Sequence, residues 1–265
     1  MRAHIVVAHP ELTSFNAHLA DIARKALTAQ GYEVSVSDLY KMDFDPCEAA
    51  THYAGRKTPE RFDTQAEQKH ASDNGTIPGV IAAEIAHLDA AELLILQYPM
   101  WWHMPPAMLK GWFDRVLVSG DVYASKKRFE TGRFIAKQAM LSVTVGTNQN
   151  TYAYNGRSGD IDLMLWPVNF SLAYVGYKVL APFVAYGVEG GLRYSEAHVV
   201  EAQLRGIETD YRTTLSNLVG RPEVPFNKMS EWGADGRIKP DAPALSPYIR
   251  HVESLQLNEI APIGS

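Results

Sequence analysis

Cysteine is almost absent: Cys47 stands alone among 265 residues. A lone thiol forms no internal disulfide, so the fold rests on packing, and a reducing, cytoplasmic compartment is expected. Clustered cysteines and His-x-x-x-His spacings are missing too, so no bound metal is expected. No apolar run approaches the roughly 20 residues of a membrane span, and no apolar leader precedes the first strand, so no stable membrane insertion is expected. A basic excess is also lacking: 25 Lys and Arg against 30 Asp and Glu give a net charge of −5. That balance argues against a general nucleic-acid binder, which needs a positive face for phosphates. The basic run Lys126-Lys127-Arg128 is short and reads as a solvated loop.

Glycine is missing where a nucleotide site usually needs it. The first turn, His9-Pro10-Glu11-Leu12-Thr13-Ser14-Phe15-Asn16, follows the apolar run Ala3–Ala8 and opens a helix. That is where an α/β protein holds a phosphate, yet neither G-x-G-x-x-G nor a P-loop is present. The turn offers instead two hydroxyls, a carboxamide, an imidazole and the free N–H groups of a helix start. Ser14 or Thr13 equally serves as a plain helix cap.

What is present alternates strand and helix. Phe15 to about Gln30 has one apolar face and ends at Gly31, and Glu33–Leu39 alternates as a second strand. Residues 43–79 lose periodicity and read as a surface excursion with one or two short helices, one of them around Glu67–His70. Val80–Ala91 is helical, and Leu93–Tyr98 is an apolar run suited to a strand buried on both faces. A helix follows from Ala107 to about Val118, then a strand at Ala139–Val145, a helix bearing Pro167, and a strand at Lys178–Val184. Pro182 puts that strand at a sheet edge or ends its pairing. A last helix starts near Ser195, with Val199, Leu204, Ile207, Tyr211 and Leu215 on one side. The pattern predicts an α/β fold: a doubly wound, five-stranded parallel sheet with helices on both faces. Ligands then belong at the carboxyl ends of the strands.

Three loops at those ends are unusual: His9–Asn16 is polar, Pro99–His103 carries Trp101 and Trp102, and Gly146–Tyr154 combines backbone donors with Tyr152 and Tyr154. A polar end beside a flat aromatic end suits a nucleotide with a planar ring system, such as a flavin. The tryptophans equally suit a core anchor, but a stiff shelf between prolines favours a ligand.

The motifs Ala8-His9, Ser14-Phe15-Asn16, Ser37–Phe44, Ala107–Val116, Leu141–Thr144, Leu165-Trp166-Pro167 and Val179–Pro182, in that order, resemble the flavodoxin-like NAD(P)H:quinone oxidoreductases (DT-diaphorases). The likeness runs to about Leu218. It implies a flavodoxin-like flavin-binding domain over 1–220 and leaves 221–265 as a proline-rich extension, packing on the surface or on a dimer partner. It further implies a homodimer with FAD (FMN less so) at the interface, NADPH or NADH as hydride donor, and two-electron transfer to a quinone by a ping-pong mechanism.

Carried over by position, His9, Ser14, Phe15, Asn16, Ala17 and His18 would hold the diphosphate and ribityl part. Pro99, Met100, Trp101, Trp102 and His103 would run under the isoalloxazine. Thr144, Val145, Gly146, Thr147 and Tyr152 would meet its N1–C2=O2 edge, with Gly146, Thr147 and Tyr152 stabilising charge there, and Glu189 would lie on the adenine side. Trp102, Tyr123 and Tyr174 would line the nicotinamide and quinone pocket. The chain departs from the family at Ser158, where a proton-relay histidine is expected, at Ser125 in place of a pocket tyrosine, and at His103 in place of an aromatic under the flavin. Thr147 replaces a second loop glycine. Arg193 or His198 is the candidate basic contact to the diphosphate. The same family includes ancillary subunits of potassium-efflux antiporters, and the fold also serves azo and nitroaromatic reductases, so these are the rival functions. His52, His70, His87, His198 and His251 otherwise read as solvated or capping residues, and Lys110 and Asp114 as a helical i, i+4 pair.

Overall fold

The computed structural model describes residues 1–190, 195–246 and 248–252. Five strands, β1 (Arg2–Val7), β2 (Glu33–Asp38), β3 (Leu93–Pro99), β4 (Gln138–Thr144) and β5 (Lys178–Ala185), form one sheet. Its order is β2-β1-β3-β4-β5, and every pairing is parallel. Six helices alternate with them: α1 (Phe15–Ala29), α2 (Thr64–Asp73), α3 (Gly79–Ala90), α4 (Ala107–Val116), α5 (Ile161–Tyr174) and α6 (Ala197–Ser216). The order reverses between β1 and β3, which makes the crevice beyond their carboxyl ends the natural ligand site. Contacts divide the chain into two units, Met1–Glu223 and Val224–Ser265.

Period-two burial explains the layering. Ala3, Ile5 and Val7 of β1 join Leu93, Ile95, Met140, Leu180 and Phe183 in a core closed by α1 and by Tyr211, Leu215 and Leu218. Val199 is 48% exposed and takes no part, because α6 meets the sheet only through its second half. The central strand β3 is buried at all seven positions, as its unbroken apolar run requires. Pro182 sits in edge strand β5, where Met140 pairs with Leu180 but Ser142 with Phe183. The extra residue is a bulge that turns the Ala181 N–H outward to Pro222 O at 2.7 Å. Arg221 then donates to the Ala181 and Pro182 carbonyls, so the segment after α6 shields an exposed sheet edge.

The other face carries a buried charge. Glu84 of α3 is 2% exposed and accepts from Ser37 Oγ at 2.6 Å and from Trp112 Nε1 at 2.8 Å. His4 Nε2 lies 3.9 Å away, and its ring stacks on His87. Burial pushes the Glu84 carboxyl up, but His4, Ser37 and Trp112 together outweigh it and hold the group below its usual 4.5. A lowered native pKa gives stability that is present above the unfolded value and lost as pH falls through the native one.

The start of the excursion packs closely on α4. Gly111 lets the backbone of α4 meet Pro46: a Cβ there would lie 2.2 Å from Pro46 O and 2.4 Å from Pro46 Cβ. Arg115 donates to Asp45 O at 2.5 Å and lies over the Phe44 ring. Two outcomes are expected. Gly111→Ala should lower stability by about 1–3 kcal/mol through overpacking, read from the urea midpoint. Glu84→Gln should cost about 1–3 kcal/mol at pH 7 by misplacing a buried acceptor. That gap should narrow as the pH drops below 4.5, and a pH-independent gap would remove the charge from the explanation.

Candidate functional site

The loops after β1, β3 and β4 stand side by side because those strands are neighbours in the sheet. A buried amide network locks them. Asn16 is 4% exposed. Its Nδ2 donates to Thr144 Oγ1 at 3.0 Å, and its Oδ1 accepts from Gln97 Nε2 at 2.9 Å. The backbone adds Ala8 N–H to Gln97 O and Met100 N–H to Thr144 O. The side chains of Asn16 and Thr144 are thus engaged with the protein, and what they offer a ligand is backbone. Gln97 went unnoticed in the sequence; its signal was a lone carboxamide inside an apolar strand.

The first loop is a helix start with selected donors open. Ser14 caps α1, accepting from Ala17 N–H at 3.2 Å. Thr13 gives both its N–H and its hydroxyl to Glu11 Oε1, and these bonds hold the Glu11 carboxyl below its usual range. Among the described residues, the N–H groups of Leu12, Phe15 and Asn16 take no internal acceptor. His18 is paired with Glu208 of α6 at 2.9 Å, and His9 accepts from Glu11 N–H at 3.0 Å while its ring meets Trp101 edge-on at 5.8 Å.

The second loop is a two-residue turn. Trp101 and Met104 exchange backbone bonds at 2.9 and 3.1 Å around Trp102 and His103. Both turn residues have positive φ, 52° and 63°, as a type I′ turn demands. Neither is glycine, so strain is stored here. Trp102 is 90% exposed, which excludes a core role for its indole. The shelf borders a cavity of about 1010 Å³ whose walls include Met104, Pro105, Phe113, Leu117, Tyr123 and Met164. Thr64, Gln65 and Gln68 of the excursion form another side, and Gln65 Nε2 reaches Tyr123 Oη at 3.3 Å. Tyr123 packs against Tyr174 at 5.9 Å.

The third loop is pinned to the end of β5: Val145 N–H donates to Ala185 O, Val188 N–H to Val145 O, and Gly187 N–H to Thr147 O. Gly146 is exposed, with only Val188 O within 4 Å of a built Cβ. Thr147 Oγ1 and Glu189 Oε2 are buried without partners, while the other Glu189 oxygen accepts from Ser195 Oγ at 3.2 Å. Tyr152 packs on Tyr186 at 6.2 Å, a neighbour that sequence reading missed because it lies beyond a different strand. Burial first, then Asp162, Asp160 and Tyr152, push the Tyr186 phenol up, so it stays neutral at physiological pH. Ser158 holds the Thr151 carbonyl through its N–H at 3.1 Å. Arg193 lies outside the described residues.

Open N–H groups at a helix start, an aromatic shelf and an unpartnered hydroxyl beside exposed Gly146 fit a flavin nucleotide. The metal option gains nothing: among the described residues no group of three or more His, Cys, Asp or Glu side chains is arranged to hold an ion. No helix among them is long and apolar enough to cross a membrane. The strained turn is directly testable. His103→Gly should raise stability by about 1 kcal/mol by relieving the left-handed conformation; a lower denaturation midpoint would mean the imidazole, not the turn, is the stabilising part.

Residues 1–208 match the family model for the flavodoxin-like fold. The chain is 38% identical over 210 residues to the NAD(P)H dehydrogenase (quinone) 1 of Rattus norvegicus, covering 78% of this chain and 77% of that protein. It is 35% identical over 210 residues to the ribosyldihydronicotinamide dehydrogenase (quinone) of Pongo abelii, covering 78% and 91%. A crystal structure of a Klebsiella pneumoniae protein described as a quinone reductase superposes with a TM-score of 0.83 at 31% identity, over 93% of this chain and 97% of that one. The chain belongs to the flavodoxin-like quinone oxidoreductase family.

Proposed function

We propose that the protein is an FAD-dependent NAD(P)H:quinone oxidoreductase, working as a homodimer in the cytoplasm. The observation that carries the reading is the meeting of three loops at neighbouring strand ends, one rich in helix-start donors, one aromatic and one donor-lined, with the aromatic loop bordering an apolar cavity of about 1010 Å³. Bound FAD would supply two-electron hydride chemistry between the nicotinamide and the quinone. The rest falls to the chain.

The N–H groups of Phe15 and Asn16, at the positive end of α1, bind the diphosphate. Trp101 and Trp102 hold the ring plane, and their prolines and the type I′ turn keep them there. Gly146 and Thr147 N–H groups, with the unpartnered Thr147 hydroxyl, would hold the polar edge of the ring system as donors. Tyr152 Oη holds a proton at that edge, and the neutral Tyr186 phenol packs behind it. Tyr123 gives the flat substrates a wall to stack against, and Tyr174, packed edge-on behind it, braces that wall and helps exclude water. Donor and acceptor share one apolar space and therefore use it in turn, which is the ping-pong order. The unpartnered Glu189 carboxylate oxygen supports FAD over FMN, since an adenine amino group would suit such an acceptor. The exposed Trp102, Met104 and Leu163 around the site favour a second copy as its cover.

Purified protein should take up FAD and turn yellow, and NAD(P)H oxidation with a small quinone should give parallel double-reciprocal lines. Tyr152→Phe should lower kcat about a hundredfold with little change in flavin affinity. A preparation that takes up neither FAD nor FMN would sink the reading. Flavin uptake with no acceptor reduced faster than oxygen would favour an ancillary antiporter subunit, and preferential turnover of azo or nitroaromatic compounds would reassign the acceptor.

A further inference from the structure

Among the described residues, Arg128 is a cation with no hydrogen-bonded or ionic partner for its guanidinium, while the other buried or half-buried arginines are paired. Five described arginines are buried or half-buried: Arg56, Arg115, Arg128, Arg133 and Arg221. Arg56 donates to the Thr58 and Pro59 carbonyls, Arg115 to Asp45 O, Arg133 to Asp89 and Asp121, and Arg221 to the Ala181 and Pro182 carbonyls. Arg128 is the exception. Like Arg56 Nε, its Nε is buried with no hydrogen-bond acceptor, but Arg56 has Glu67 at 3.7 Å and two carbonyls, whereas among the described residues the Arg128 guanidinium has neither a hydrogen bond nor an ion pair. A buried charged donor left unmade is expensive, so a fold keeps one only where something else completes it.

Its surroundings say what. The guanidinium lies over the Tyr174 ring, 6.0 Å from its centre. Tyr174 in turn meets Tyr123 at 5.9 Å and Phe129 at 5.2 Å, and Tyr123 lines the large cavity. The cation therefore sits one ring away from the wall on which a flat substrate would stack. The loop that carries it is held rigidly. Ala124 and Lys127 exchange backbone bonds at 3.3 and 3.0 Å, and Thr131 Oγ1 donates to the Lys126 and Arg128 carbonyls. Phe129, next in the chain, is kept in the left-handed region at φ 49°, a strained conformation for a bulky residue. Neighbouring charges are already spent: Lys127 Nζ holds the Asp121 carbonyl, and the Asp121 carboxylate holds Arg133. Exposed Lys126, at the hairpin tip, adds to the positive potential.

We propose that Arg128 recognises an anionic group, a phosphate or sulfonate, carried by an aromatic substrate that stacks on the Tyr123–Tyr174 pair. A planar guanidinium braced on a tyrosine face has its fork of donors preset for such an oxyanion. The proposal rests on the quinone-reductase reading for the identity of the ring. Two sources share the chemistry: the 2′-phosphate that distinguishes NADPH from NADH, and an acidic substituent on the acceptor.

The test is titration calorimetry on the full flavin-loaded chain with four probes: adenosine 2′,5′-bisphosphate, adenosine 5′-phosphate, naphthoquinone-2-sulfonate and 1,4-naphthoquinone. Wild type should bind at least one anionic probe ten times more tightly than its less charged counterpart, and Arg128→Gln should abolish that preference without lowering Tm. Arg128→Lys, which keeps the charge but not the fork, should restore part of it and serves in place of the Gln variant should that fail to fold. Loss confined to the bisphosphate assigns the anion to the donor, and loss confined to the sulfonate assigns it to the acceptor. The proposal is overturned if wild type does not discriminate, if Arg128→Gln leaves the affinities within twofold, or if it shifts only the dimer dissociation constant, which would make Arg128 a subunit contact. Calorimetry needs no turnover, so a failure of quinone reduction would count against the enzyme reading while the Arg128 comparison still returned its own answer.

Discussion

One carboxamide sets the site. Asn16 stands at the first turn of α1 and is buried among groups it must satisfy, giving its amide to Thr144 and its carbonyl to Gln97. Those partners lie on β4 and β3, so a single side chain ties the loop after β1 to two other strand ends. A parallel sheet fixes strand spacing but leaves the loops beyond it free to splay. Burial makes the network unforgiving, because a half-made amide pair in a dry core costs more than no pair at all. The helix-start donors, the tryptophan shelf and the donor loop keep their relative positions through this link and through the backbone bonds of Ala8 and Met100.

The frame was legible in the sequence because it depends on local rules. Unbroken apolar runs marked buried parallel strands, the 3.6-residue period marked helices, and Gly31 marked the end of α1. The three candidate loops stood out by position and composition, and the strand order sets them side by side. What resisted reading was which polar atoms were already spent. His18 and Thr13 look like free ligands in the sequence, yet one is paired with Glu208 and the other with Glu11. Tyr186 and Gln97 were invisible because their partners, Tyr152 and Asn16, are distant in sequence and lie on other elements. Lys126-Lys127-Arg128 read as a solvated loop, but Arg128 is drawn inward by the aromatic rings of α5. Charge runs are usually solvated, and only packing reveals the exceptions.

The two faces of the sheet solve different problems. The α1 and α6 face is apolar throughout and supplies cohesion. The opposite face tolerates an ionised Glu84 because an indole, a hydroxyl and an imidazole converge on it. Such a network adds little to stability over a well-packed apolar patch, but it permits only one arrangement of β1, β2, α3 and α4. The same face carries α4, whose N-terminal end abuts the tryptophan shelf.

The contact of Gly111 with Pro46 has an evolutionary side. It is where the excursion is fastened to the sheet, and the excursion's far end, through Thr64, Gln65 and Gln68, walls the large cavity. The far end is fastened as well, since buried Gln68 donates to Asp114 O and accepts from Ser119 N–H. Exchanges at exposed Gln65 can therefore reshape the cavity wall while buried Glu67 and Gln68 keep the segment in place, so variation is tolerated at single wall positions rather than along the whole stretch.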